Sequence, residues 1–179
     1  MEATQIVPNK KFAEFLSLVV ETCAYSGSGN VLKIQKLLHL CAEHNKEENE
    51  SLNQLAAVLG VALIAFGEDI GQDMCIRTMN HLLQYGEPVI KRTVPLAIGL
   101  LRISNPEVVT MDLLTKLSYD SDANVSMSAI FALGLIGAGT NNSRIAGNLR
   151  YLASYYATSA DQLYVVRLSQ GLVHMGKVS

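Results

Sequence analysis

The stretch AIFALGLIGAGTNN, residues 129–142, decides the fold. It is an apolar run with small residues at intervals, it stops on glycines, and it passes into a polar turn. Nothing in it is suited to chemistry, yet the chain writes variants of it repeatedly. ALIAFGEDIG starts at Ala62, AIGLLRISNP at Ala97, ALGLIGAGTNN at Ala132 and GLVHMGKVS at Gly171, with a weaker copy, TCAYSGSGN, at Thr22. The successive spacings are 40, 35, 35 and 39 residues. A period in that range fits a two-helix solenoid unit better than a single globular pattern.

A second kind of helix lies between the copies. NVLKIQKLLHLCAEH, IGQDMCIRTMNHLLQYG, PEVVTMDLLTKLSYDS and NNSRIAGNLRYLASYYA each carry a leucine-centred stripe. Val31, Ile34, Leu38 and Cys41 follow one helical face, as do Ile145, Leu149, Leu152 and Tyr156. No run alternates in the manner of a strand, so the chain reads as all-α. Helices are expected over about 12–55 with a split near Ser26–Asn30, then 54–66, 70–85, 88–103, 106–119, 124–136, 143–157 and 162–175. Asn105 before Pro106, Asp69 before Ile70 and Asn142 before Ser143 are the expected helix caps. The polar stretch 45–53 reads as a solvated loop. One helical-repeat domain then covers 1–179, with repeats near 12–44, 54–86, 88–121 and 124–158 and an incomplete one at 161–179.

The glycines inside helices narrow this further. Gly60, Gly99 and Gly134 each interrupt an apolar helix, where glycine costs about 1 kcal/mol relative to alanine. Close approach of one helix backbone to its neighbour offsets that cost. The glycine-bearing helices are therefore expected to form one crowded layer and the leucine-striped helices another.

Composition bounds the function. Apolar residues make up 49% and charged residues 17%, which describes a folded, well-buried chain. The net charge is −2 and the basic residues are scattered, which excludes the concentrated cationic face that nucleic acid requires. Cys23, Cys41 and Cys75 sit within apolar helical patterns, where a buried inert thiol is expected, and make no disulfide framework; the compartment that suits them is reducing, cytoplasm or nucleus. The apolar run Leu55–Gly67 is shorter than the roughly 18–20 residues that span a bilayer, and the start MEATQIVPNKK lacks the pattern of a secretory signal.

His39, Cys41 and His44, with Glu43 four residues after His39, approach metal-ligand spacing, but no second ligand pair accompanies them, so no metal is expected. GSGN at 27–30 resembles an anion loop but follows a helix and lacks the lysine of a phosphate loop, so a turn is expected. Asp69, Asp120, Asp122 and Asp161 fall at turns, where capping explains them. No catalytic constellation, cofactor site or partner-contact residue can be assembled; the exposed outer-helix candidates are Arg77, Gln84, Asp112, Lys116 and Arg150.

Taken together, CAYSGSGNVLKIQKLLHLCAEH, AVLGVALIAFGEDIG, YGEPVIKRTVPLAIGLLRISNP, SMSAIFALGLIGAGTNNSRIAGNLRYLASYY and LYVVRLSQGLVHMGK resemble the proteasome/cyclosome repeats. That resemblance, which runs from about Phe12 onward, implies an α-solenoid of helical hairpins forming an arc of a two-layer toroid, with the small-residue helices inside. It implies a non-enzymatic scaffold of the proteasome regulatory particle. The implied partners are ATPase-ring and other regulatory-particle subunits, ubiquitin, the ubiquitin-like domains of shuttle receptors, and a deubiquitinase. The family's best-known ubiquitin-binding helices would precede Met1, and its long charged insertion corresponds here to NKEENESLNQ. A HEAT or armadillo adaptor is the alternative, disfavoured by its longer units of roughly 40–47 residues. The last repeat ends without a partner helix, so Leu168, Leu172 and Met175 are expected to face solvent and to favour self-association.

Overall fold

The computed structural model describes residues 10–42 and 48–176. Every regular element among them is a helix: α1 Lys10–Ala24, α2 Val31–Ala42, α3 Glu48–Ala65, α4 Asp69–Tyr85, α5 Pro88–Leu101, α6 Val108–Leu117, α7 Ala123–Ile136, α8 Ser143–Tyr155 and α9 Ala160–Val173. The chain divides into two compact units, Met1–Val94 and Pro95–Ser179. The boundary falls within α5 at Pro95, a residue that has no N–H to give to the helix.

In the first unit α1 packs along α3, α2 packs against α3, and α4 also contacts α3. Leu37, Cys41, Val58, Val61 and Ile64 are buried there. In the second unit α7 packs along α9, α6 against α7 and α8 against α9. Its core is built from Met111, Leu114, Ile130, Leu133, Ile136, Ile145, Leu149, Leu152, Val166 and Val173. Each such side chain contributes about 1.5–3 kcal/mol relative to exposure. The apolar sequence of α7 is buried on nearly all sides, as a helix without a polar face must be.

Gly60, Gly99 and Gly134 lie where one helix closely approaches another. A methyl group on Gly134 would sit 2.8 Å from Cα of Ser169 in α9, and one on Gly99 would sit 2.9 Å from Cα of Ala132 in α7. One on Gly60 would sit 2.4 Å from Cγ2 of Thr22 in α1. The expected crowding of small-residue helices is therefore present within each unit.

The turns after these helices hold a second regular feature. Gly27, Ser104, Gly139 and Gly176 each lie three residues beyond a helix end and have φ of 69°, 56°, 70° and 79°. Gly27 and Gly29 donate their backbone N–H groups to the carbonyls of Leu63 and Ile64 at the end of α3, each at 2.9 Å. Ser104 donates to Leu135 of α7 at 3.1 Å, and Gly139 donates to Leu172 of α9 at 3.0 Å. Ile64, Leu135 and Leu172 are each the penultimate residue of their helix. The last carbonyls of these helices thus receive donors from the preceding hairpin, in addition to the local bonds that Leu135 accepts from Ala138 and Leu172 from Met175, and the inter-hairpin bonds fix the register between hairpins.

Several boundaries differ from the sequence reading. Helix α3 begins at Glu48, so most of the stretch read as loop is helical; glutamates suit a helix N-terminus, and residues 43–47 lie outside the described residues. Helix α6 begins at Val108 with Glu107 as N-cap, leaving Asn105 and Pro106 in the turn that Ser104 forms. Asp69 is the first residue of α4, not its cap, and Glu68 precedes it. Asn142 caps α8 as expected, accepting from the N–H groups of Arg144 at 2.9 Å and Ile145 at 3.3 Å. The stripe of α8 is buried as read, whereas α2 buries Leu37 and Cys41 and leaves its first residue, Val31, exposed.

Candidate interaction surface

The outward faces of the leucine-striped helices carry the exposed polar residues. All five candidates, Arg77, Gln84, Asp112, Lys116 and Arg150, are exposed. In the second unit, three contacts join α6 and the turn after it to α8. Arg144 donates to Asp112 at 2.6 Å, Asn148 donates to Thr115 at 3.2 Å, and Tyr119 meets Tyr155 edge to face at 5.3 Å between ring centres. Such an exposed ion pair contributes about 0–1 kcal/mol, so its effect is chiefly to orient the two side chains. Beneath this surface Tyr156 donates its hydroxyl to the Ser118 carbonyl at 2.7 Å, and both residues are buried.

Arg150 also borders a shallow groove of about 280 Å³ with Arg167, Gln170 and His174, floored by Leu149 and Val173. Gln170 is held by Arg167, which donates to it at 3.0 Å, and by its own bond to the Leu149 carbonyl at 3.3 Å. Its lining holds one imidazole, His174, whose Nδ1 lies 2.6 Å from Asn141 Oδ1, and no carboxylate. Of the outer-helix contacts, the sequence reading found Asp112 and Tyr156 but missed their partners, because a cross-helix pair depends on which stripes face each other.

The sites set aside from sequence resolve individually. His39 is exposed and Cys41 buried near the end of α2, while Glu43 and His44 lie outside the described residues. Among the described residues no group of three His, Cys, Asp or Glu is placed to hold a metal. The Gly27 and Gly29 N–H groups of GSGN are engaged by α3 carbonyls, and Asn30 accepts from the N–H groups of Leu32 and Lys33, so this turn is no anion cradle. Asp122 caps α7 by accepting from the Asn124 N–H at 2.9 Å, and Asp120 accepts from the Asp122 N–H. Burial pushes the Cys41 thiol up to about 11 and also raises that of Cys75, which makes both poor nucleophiles. Cys23 departs from the expected buried thiol: it is exposed, bordering an apolar groove with Phe15, Val19 and Leu59.

The repeat itself carries the comparison with known proteins. Residues 128–161, which take in most of α7 and all of α8, match the proteasome/cyclosome repeat. This chain belongs to the proteasome/cyclosome repeat family. It is 55% identical over 169 residues to the 26S proteasome non-ATPase regulatory subunit 2 homolog A of Arabidopsis thaliana, covering 94% of this chain and 19% of that protein. It is 52% identical over 165 residues to the 26S proteasome regulatory subunit rpn-1 of Neurospora crassa, covering 90% of this chain and 18% of that protein. The regulatory subunit RPN1 of Encephalitozoon cuniculi is 32% identical over 161 residues, 90% of this chain and 20% of its own length. The chain thus spans about a fifth of the length of the curated relatives it matches. A HEAT or armadillo reading is not favoured. No helix among the described residues is long and apolar enough to cross a membrane.

Proposed function

We propose that this chain is part of a non-enzymatic scaffold of the 26S proteasome regulatory particle base. In this reading it supports the docking of ubiquitin, ubiquitin-like shuttle receptors and a deubiquitinase in ubiquitin-dependent degradation, in cytoplasm and nucleus. The observation that carries the reading is the extended identity to proteasome regulatory subunits over 94% of the chain. The inner-helix packing agrees with it: backbones held together through Gly60, Gly99 and Gly134 suit a rigid support for outward faces. Rigid presentation raises the effective concentration of weak binding modules for one another when several sites are used. Such an array would form an arc of a two-layer toroid, as the family resemblance implies.

The test has two arms. The full-length protein carrying this chain is expected to co-purify with proteasomal ATPase-ring subunits; its absence from those particles would overturn the scaffold reading. Separately, isotope-labelled ubiquitin and a labelled ubiquitin-like domain are titrated with this chain and followed by NMR. Saturable shifts confined to one face of the labelled domain would place a docking site within these repeats. Unchanged spectra beside folded chain would confine its role to support.

A further inference from the structure

Tyrosine rings gather on one surface of the second unit, where the outer helices α6 and α8 end. Tyr119 follows α6 by two residues, Tyr155 closes α8, and Tyr151 lies one turn before it. They are 46%, 64% and 75% exposed. Their geometry is nonetheless fixed. Tyr119 and Tyr155 meet at an interplanar angle of 82°, and Tyr155 meets Tyr156 at 88° with 4.8 Å between ring centres. Tyr156 is itself pinned by its bond to the Ser118 carbonyl. Exposed rings held in this way have little rotamer freedom left to lose when a partner covers them.

The charge around these rings is predominantly negative. Helix α6 ends at Leu117 and α8 at Tyr155, so two helices direct the negative ends of their dipoles here. Asp120 adjoins Tyr119, is exposed, and acts electrostatically on the Tyr156 hydroxyl, so its carboxylate stands beside the cluster. The ring faces add the negative side of their quadrupoles. Against this stands Lys116, the one basic residue in the last turn of either helix. Arg144 is paired with Asp112 further along the seam, and Arg150 borders the groove on α9. In the first unit a comparable ring has its own cation, for Lys33 lies over Tyr25 at 4.8 Å from the ring centre. Among the described residues no lysine or arginine is placed in that way over Tyr119, Tyr151 or Tyr155.

We propose that this surface docks a basic segment of a partner protein. A cationic side chain of the partner lies against the open faces of Tyr151 and Tyr155, and the Asp120 carboxylate meets its charge. Arginine suits the surface better than lysine, because its flat guanidinium stacks on a ring while still donating to a carboxylate. The apolar stem of the same side chain covers Tyr119. The surface is formed within one unit, by two helices that are already joined.

The test is a titration of the 179-residue chain with a blocked peptide of alternating arginine and glycine, followed by NMR of isotope-labelled tyrosine rings. Saturable shifts confined to Tyr119, Tyr151, Tyr155 and Tyr156 are expected. They should vanish when each arginine of the peptide is replaced by citrulline, which keeps the shape and loses the charge. Tyr155→Phe, which keeps the ring face, is expected to retain the affinity, and Tyr155→Leu to lower it about threefold or more. Asp120→Asn can still accept from the Asp122 N–H, so the turn is kept, and loss of the charge should weaken binding by a similar factor. Lys116→Ala removes the opposing charge and is expected to tighten binding. All three positions are exposed, and circular dichroism checks that each variant keeps the fold. No shift, shifts spread over tyrosines elsewhere, shifts that persist with citrulline, or unchanged affinity in Tyr155→Leu and Asp120→Asn would each overturn the proposal. Shifts of the same rings on concentrating the chain without peptide would put a second copy on this face in place of a basic partner, and would overturn it equally.

Discussion

At the scale of the residue, the same side-chain change has opposite signs depending on what the backbone touches. Adding a methyl group to a mid-helix glycine ordinarily stabilises by about 0.4–1 kcal/mol where the site is free. Gly147 in α8 is such a site, with nothing within 4 Å of the added atom. At Gly134 the added atom would meet Cα of Ser169 at 2.8 Å, so α7 and α9 must separate. Gly134→Ala is expected to destabilise by about 1–3 kcal/mol through overpacking, whereas Gly147→Ala is neutral or stabilising. Urea unfolding followed by circular dichroism reads both; equal midpoints for the two variants would contradict the contact. Gly134 could be singled out from sequence because glycine inside an apolar helix has a cost that something must offset. Its partner Ser169 could not, since serine in a helix has several uses.

Between elements, the outer helices are tied to one another by polar groups as well as by the core. Tyr156 is the clearest instance, its hydroxyl reaching from the end of α8 to the buried carbonyl of Ser118 just beyond α6. Tyr156→Phe leaves that carbonyl without its donor and is expected to cost about 1–2 kcal/mol, while Tyr155→Phe at an exposed ring costs less than about 0.5 kcal/mol. Burial raises the pKa of Tyr156 above its ordinary 10.0. Its contribution is therefore complete below about pH 10 and is lost as pH rises through the folded-state value. The alkaline fall in the unfolding midpoint should be shallower in Tyr156→Phe; a fall of unchanged slope would count against this linkage. The stripe of α8 was legible because four apolar residues kept one helical face. The start of α6 was not, because Glu107 took the capping position in place of Asn105, and several residues in that turn meet the chemistry of a cap.

For the whole chain, what was legible is the part that repeats. A period of about 35–40 residues, small residues in one helix of each pair and polar turns after them predicted all-helical hairpins, and each unit is built that way. The unit boundary was not legible, because a helix that runs through Pro95 shows the same apolar pattern on both sides of it. The principal helix contacts within each unit join helices one or two apart in the chain. In such an array stability is close to a sum of local terms between neighbours, so a lesion spreads only as far as the interface energies carry it. Gly134→Ala should therefore lower amide-exchange protection first in α7 and α9, whose contact it strains, and then in α6 and α8, which pack against them. The amides of α1 and α3 rest on the Thr22–Gly60 contact and their own core, so they should keep wild-type protection at denaturant concentrations where α7 and α9 have lost theirs. Hydrogen exchange read by mass spectrometry across a urea series separates these segments. Simultaneous loss in α1, α3, α7 and α9 would mean that coupling along the chain exceeds the local terms, making it one cooperative body rather than a sum of neighbouring repeats.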